Sequence, residues 1–424
     1  MNNNEYVAIP ENNTITKKVV KKHYPRQNNK QILDFVFSRD KNLYLRKNNI
    51  IIKGSIAVDK SYVPDVGFVS KLFGMLTVEV DSVTVSNNKA RYTNNIFYFI
   101  YLNHFRGEYF LMDYMEKIGN FNAGYIDTVF ALEGYNDLKN YSSKDLVTYF
   151  KNDINKRHMN AATISGDKYV YDFVFIPNCG FLNSNLPLMT DCELKLSFDR
   201  TKSDVSMIKT LSEVKDICDG EPIEIQNCVA IAEYVGSDEL DDYFMKVDTE
   251  PIPYYYEDCE ITLKTLPLNE TEIRIDNIKG GPTPSCMFAG IIQSEALAGN
   301  MALSSTSFRC NNVTGFDITL NGNSVNGYPL ENKNKLAVFP YHKFMETTGR
   351  YMNTICGEGL KLTQFMVNWI YAHKFEAEVS EEGWLGINIR LSEAYTEAFT
   401  LVIWCIYDAA ISIDKFHQIE KLSL

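Results

Sequence analysis

At 424 residues the chain exceeds the size at which a single hydrophobic core stops growing, so two domains of roughly 200 residues each are expected. A formal net charge of −12 excludes a protein that coats nucleic acid with its whole surface, because such binding neutralises phosphates with Lys and Arg. No run reaches the roughly 18 apolar residues needed to span a bilayer, and the opening MNNNEYVAIPENN lacks the apolar core of a signal peptide.

Residues 1–39 read as a basic, Asn-rich arm. Within 1–30, Lys17, Lys18, Lys21, Lys22, Arg26 and Lys30 oppose only Glu5 and Glu11, a net of +4 that leaves −16 on the remainder. The composition predicts a solvated, disordered arm, with a DNA contact or a weak nuclear import signal as the functional readings. Leu43 to Val58 holds two short strands around a Lys47-Asn48-Asn49 turn, and Leu76 to Val85 alternates as a strand. Dense aromatics from Asn94 to Ile118, ended by Gly119, predict one or two helices capped by Thr93 or Asn94. A capping box at Ser142–Asp145 predicts another through Ile154.

Strands resume at Tyr169–Ile176 and Cys192–Phe198. Val205, Ile208, Leu211 and Val214 recur at helical spacing before Gly220, and Ile223–Tyr234 returns to strand. Ser237 to Glu260 is rich in acids and is interrupted by Pro251 and Pro253, which predicts the link between the halves. The second half continues with strands at Glu260–Leu266 and Thr271–Ile278, a loop at Gly280–Pro284 and a buried strand at Met287–Ser294. Phe316, Ile318 and Leu320 alternate with Asp317, Thr319 and Asn321, and Asn321-Gly322 supplies a hairpin turn leading to Ser324 and Val325. Pro340–Cys356 is an amphipathic helix stopped by Gly357, and Leu360–Tyr371, Trp384–Leu391 and Phe399–Ile413 complete the strands. The 26 Tyr, 25 Phe and frequent Val, Ile and Thr fit an all-β fold with helical insertions.

Motifs of catalysis do not emerge. The sequence contains no phosphate loop, no G-x-G-x-x-G and no G-x-S-x-G elbow. Nine scattered cysteines without a C-x-x-C pair read as small core residues, and six histidines without ligand spacing give no support for a metal site. Cys356-Gly357-Glu358-Gly359 reads as a helix terminus, Asp241-Asp242 and Glu381-Glu382 as solvated acids, and His342 as a surface or capping histidine at a helix start. No catalytic, cofactor-binding or metal-binding residue is assigned. The Asn12, Asn140, Asn269 and Asn312 sequons are expected to stay unglycosylated in a protein made in the cytosol.

Three blocks, in order, carry a resemblance. They are Val69-Ser70-Lys71-Leu72-Phe73 to Val85-Ser86; Ser294-Glu295-Ala296 with Gly299-Asn300 and Leu320-Asn321-Gly322; and Gly383 to Leu391 followed by Thr400–Tyr407 and Ile411–Asp414. Together they resemble the hexon-like double jelly-roll major capsid proteins of Polinton/Maverick elements, adintoviruses and related eukaryotic double-stranded DNA viruses. Leu297 stands where that family's pattern has Phe. The resemblance implies two eight-stranded β-sandwiches in tandem, 40–245 and 246–415, followed by a tail at 416–424. It implies no enzyme and no cofactor. The implied partners are two further copies in a homotrimer, neighbouring capsomers, a minor penton protein, and DNA or an inner-shell protein at the basic arm. The implied place is the virion, after synthesis in the host cytoplasm and assembly there or in the nucleus. Gly280–Pro284 and Asn321–Leu330 are the candidate tower or intersubunit loops. Other readings are a domesticated copy that makes no particle, a carbohydrate-binding sandwich displaying Tyr254-Tyr255-Tyr256, and a cupin-like metalloprotein.

Overall fold

The computed structural model describes residues 15–28, 32–59, 62–64, 72–87, 163–200, 207–209, 223–298, 308–331, 337–348, 370–375 and 383–422, with single gaps at 167, 178, 309, 311 and 328. These residues build four five-stranded antiparallel sheets and a two-stranded ribbon. In the first half one sheet runs β1 (Lys17–His23), β12 (Ile223–Gly236), β4 (Tyr44–Asp59), β9 (Lys168–Phe175), β8 (Thr163–Ser165). The second sheet runs β2 (Gln27–Asn28), β3 (Ile32–Phe37), β10 (Leu194–Arg200), β6 (Phe73–Val80), β7 (Val83–Asn87). The ribbon pairs β5 (Tyr62–Pro64) with β11 (Met207–Lys209).

The second half repeats the plan. Its first sheet runs β13 (Ile252–Thr265), β21 (Phe399–Ile413), β15 (Cys286–Gln293), β19 (Tyr371–Lys374), with β22 (Ile419–Leu422) also on β21. Its second runs β14 (Glu272–Gly281), β20 (Gly383–Leu391), β16 (Val313–Leu320), β17 (Asn323–Ser324), with β18 (Leu330–Glu331) on β16. Successive main strands alternate between facing sheets, and late strands insert between early ones, as β12 does between β1 and β4 and β21 between β13 and β15. That is the connectivity of a jelly roll, present twice.

Alternation explains which faces are buried. In β10, Leu194, Leu196 and Phe198 turn inward while Lys195 and Ser197 do not, and β3 opposes them with Leu33, Phe35 and Phe37. One core gathers residues from Leu33 to Tyr256 together with Ile411 and Ile413. The other gathers Cys259 to Ile406, around Trp404 stacked on Phe288 at 5.8 Å and Phe316 stacked on Tyr371 at 4.0 Å. The two cores therefore divide within β13 and β21, not between elements.

Several sequence expectations change. The basic arm is not disordered over its described part: β1, β2 and β3 are strands of the first sandwich, so the boundary expected at residue 40 falls after three of its strands. The tail expected from 416 likewise supplies β22. Backbone pairing outweighs a composition that reads as disorder, because β1 pairs with β12 along its whole length and Val19 packs against the first core. Leu43 to Val58 is one strand, β4, with Lys47-Asn48-Asn49 absorbed as a bulge: β12 advances from Ile231 to Glu233 while β4 goes from Ile51 to Arg46.

Leu76 to Val85 is two strands joined at Asp81 and Ser82, whose φ values of 44° and 69° make the tight turn. Ile208 lies in a strand, so the helical spacing from Val205 to Val214 does not produce a helix at 207–209; the rest of that span lies outside the described residues. Ser294 starts α3 (Ser294–Ala298), the helix that follows α1 (Gly180–Asn183) and α2 (Asp238–Phe244). The acidic link is thus a packed helix, with Leu240 and Phe244 buried one turn apart and Asp238, Glu239 and Asp241 in its first turn, where the helix dipole favours them. β13 begins at Ile252, and Pro253 is tolerated because β13 lies at a sheet edge.

Gly280 and Gly281 pair in β14, so the expected loop narrows to the residues after them. The last helix is α4 (Val338–Thr347). The helices read at 94–118 and 142–154, the Gly357 stop and most of the Leu360–Tyr371 strand lie outside the described residues. Asn321-Gly322 forms the expected turn, at φ 52° and 81°, and Phe399–Ile413 is a strand with those same bounds.

Gly180 has a strict steric role. A Cβ there would lie 1.6 Å from the Glu257 carbonyl oxygen, so α1 packs its backbone directly onto β13. Gly180→Ala is expected to lower stability by about 1–3 kcal/mol through overpacking, read as a lower urea midpoint with an unchanged slope.

Candidate functional site

The interiors are apolar, so the polar groups placed inside them and the exposed faces are the candidates for function. Lys47 is the outstanding buried charge: its residue is 2 % exposed. The β4 bulge turns it inward, where its Nζ donates to the Ser184 carbonyl at 2.9 Å and to Ser184 Oγ. The rings of Phe181 and Tyr254 stand 5.1 and 5.6 Å from Nζ. Burial pushes its pKa down to about 7. Tyr254 accepts from the Met189 N–H at 3.0 Å, so Lys47, α1 and β13 form one polar seam in the first core.

A second cluster joins three turns at the edge of the first sandwich. Asp81 lies in the β6–β7 turn, Cys192 just ahead of β10, and His417 in the β21–β22 turn. Cys192 Sγ is 3.9 Å and Asp81 Oδ2 3.4 Å from His417 Nδ1, and the three ligand atoms lie within 4.8 Å of one another. Asp81 Oδ1 accepts from Arg39 Nη2 at 2.7 Å and from the Glu193 N–H at 3.1 Å. Burial and the Asp81 carboxylate push the Cys192 thiol well up. Sequence spacing could not reveal this group, because its members lie more than a hundred positions apart and meet only through the sheet register.

Of the candidate loops, Asn321–Leu330 is held by a buried side chain. His373 Nδ1 lies 3.1 Å from Asn326 Oδ1, and burial lowers the His373 pKa to about 4, with Lys343 adding to the effect. Trp384, 59 % exposed, stands beside that hairpin; its N–H donates to Asn321 Oδ1 at 2.9 Å and its ring lies over Gly280. The tyrosine triplet splits by strand alternation. Tyr254 and Tyr256 are core residues, Tyr256 donating to the Val85 carbonyl at 3.1 Å, and Tyr255 alone of the three faces out.

Asp241 and Asp242 are helical, not loop or strand, and Asp241 accepts from Tyr44 Oη at 2.7 Å. His342 lies within α4, one turn past its start. Glu381-Glu382 and Cys356–Gly359 lie outside the described residues. The seven described cysteines are buried, and none of them forms a disulfide. No described helix is long and apolar enough to cross a membrane.

No protein-family model matches the chain, and no curated protein matches it significantly. Solved structures do. VP54 of PBCV-1, fitted into a reconstruction of the Sputnik virophage, aligns at TM-score 0.56 and 9% identity over 96% of this chain and 97% of its own. The Faustovirus major capsid protein aligns at 0.51 and 8% over 93% and 90%. The mavirus major capsid protein aligns at 0.50 and 8% over 95% and 90%. These neighbours are double jelly-roll major capsid proteins of large DNA viruses and virophages. At 8–9% identity the likeness is one of fold, the double jelly roll.

Two pH dependences follow from the buried bases. The unfolded chain holds the Lys47 proton up to about 10.5 and the folded chain only to about 7, so unfolding free energy gained from this group rises between those values and is flat outside them. The difference between wild type and Lys47→Met, measured by urea titration, is expected to change across that window and nowhere else. For His373 the folded pKa of about 4 lies below the usual 6.5, so stability is lost as pH falls between them. His373→Gln is expected to remove that part of the acid slope.

Proposed function

We propose that the chain is the major capsid protein of a eukaryotic double-stranded DNA virus or of a Polinton or adintovirus-type element. It assembles as a homotrimer in which six jelly rolls make a pseudo-hexagonal capsomer. The observation that carries this reading is the complete tandem of two jelly rolls, matched end to end at 96% of this chain and 97% of a PBCV-1 capsid protein. A threefold trimer of doubled domains tiles nearly like a hexamer, so one polypeptide fills flat facets of an icosahedral shell. Closed symmetry makes the contacts head-to-tail, the first roll of one subunit against the second of the next. Obligate interfaces of this kind bury on the order of 2,000 Å² or more.

The remaining partners belong to the same reading: neighbouring capsomers, a minor penton protein, and residence in the virion after synthesis in the host cytoplasm. In the same reading the basic N-terminal segment contacts DNA or an inner-shell protein. Lys18 and Lys21 already pair with Glu233 and Asp40, both at 2.5 Å, which reduces the charge that segment offers to phosphate. A domesticated copy that makes no particle keeps the same fold. A carbohydrate-binding sandwich is disfavoured by the burial of Tyr254 and Tyr256.

Light scattering of the purified chain is expected to give roughly three times its 48.5 kDa mass, with trimeric, pseudo-hexagonal particles in negative stain. A protein that stays monomeric at high concentration, with no such particles, overturns the proposal.

A further inference from the structure

We infer that Asp81, Cys192 and His417 form a binding site for one zinc-type divalent metal ion, which pins the C-terminal turn to the first sandwich. The three side chains offer a carboxylate, a thiol and an imidazole whose ligand atoms lie within 4.8 Å of one another. A tetrahedral site with bonds of roughly 2.0–2.3 Å has edges of about 3.3–3.8 Å. The Sγ–Nδ1 and Nδ1–Oδ2 distances are 3.9 and 3.4 Å, so these two edges close with a contraction of a few tenths of an ångström at most.

The second observation is the carboxylate itself. The Asp81 side chain is 7 % exposed, and its Oδ2 is buried without a hydrogen-bond partner. Its other oxygen is fixed by Arg39 and by the Glu193 N–H, so Oδ2 faces the cluster, 3.4 Å from His417 Nδ1. A buried acceptor left this way is costly, and a ligating carboxylate oriented by outer hydrogen bonds is the arrangement that metal sites use. Arg39 holds the far oxygen, and Asp191 adds negative charge near Cys192. The ion bonds to Sγ as the thiol proton leaves to solvent, giving a site of one carboxylate and one thiolate against one guanidinium.

The donor set selects the metal. Thiolate and imidazole suit zinc, whereas magnesium and calcium require oxygen ligands. His417 is 21 % exposed in its side chain, which leaves a side open to solvent for access and for a water as fourth ligand. The backbone at Asp81, Asp191 and His417 is left-handed, at φ 44°, 61° and 60°, so three tight turns fix the ligands in position. The consequence is local: with metal bound, the β21–β22 turn is cross-linked to the β6–β7 turn and to the start of β10.

The test uses the full chain, treated with chelator and titrated with cobalt(II) and then zinc. One equivalent of cobalt is expected to give a thiolate charge-transfer band that zinc abolishes. Cys192→Ser is expected to lose the band. His417→Asn, which keeps a residue tolerant of the left-handed backbone, is expected to weaken zinc binding about tenfold or more. At a fixed zinc concentration the urea midpoint of the wild type should rise more than that of either variant. If folded wild type, checked by far-ultraviolet circular dichroism, shows no cobalt–thiolate band, or if band and affinity persist in folded His417→Asn, the site does not exist. These readouts are independent of oligomeric state, so they stand apart from the capsid reading.

Discussion

The β13–β21 ladder is the constraint on which the rest of the chain depends. The two strands pair without a slip from Ile252 opposite Ile413 to Thr265 opposite Thr400. Their side chains serve two cores in turn: Tyr254, Tyr256, Ile411 and Ile413 fill the first, and Cys259 and Leu401 to Ile406 fill the second. A slip of one residue would turn Tyr254, Tyr256, Ile411 and Ile413 to the wrong face and exchange the two buried faces of Leu401 to Ile406, so one register fixes both interiors. The close contact of Gly180 with the Glu257 carbonyl brings α1 against the same strand, and the Lys47 seam lies where α1, β4 and β13 meet.

Jelly-roll connectivity gives this ladder its reach. Because late strands insert between early ones, β12 joins the chain's N-terminal strand to β4, and β21 joins β13 to β15. Contacts of such sequence separation are slow to form but leave few open edges once made. The ion pairs at the first sandwich follow the same geometry. Glu233 on β12 meets Lys18 from β1 at 2.5 Å and Arg46 from β4 at 2.8 Å, which balances a buried carboxylate between its two neighbouring strands.

The polar interior is sparse and specific. Lys47 and His373 are both held by burial in forms that resist protonation, and each fixes a neighbouring segment, Ser184 in one case and Asn326 in the other. The Asn321–Leu330 hairpin is therefore positioned by the second core while Trp384 remains largely outside it.

Residue patterns alone determined the β class, the β21 bounds and the Asn321-Gly322 turn, since period-2 burial and positive-φ chemistry are local properties, while the tandem of two sandwiches was implied by the family resemblance. The tertiary structure decided the matters that depend on distant partners. The lysines of β1 look like a solvated arm until β12 offers them an edge, and Lys47-Asn48-Asn49 looks like a turn until β12 pairs on both sides of it. The acids after Ser237 look like a spacer until Leu240 and Phe244 find the first core. The grouping of Asp81, Cys192 and His417 had no signal in spacing, because three turns are brought together by the registers of β6, β10 and β21. Local chemistry chose the elements; long-range pairing chose which of their side chains would meet.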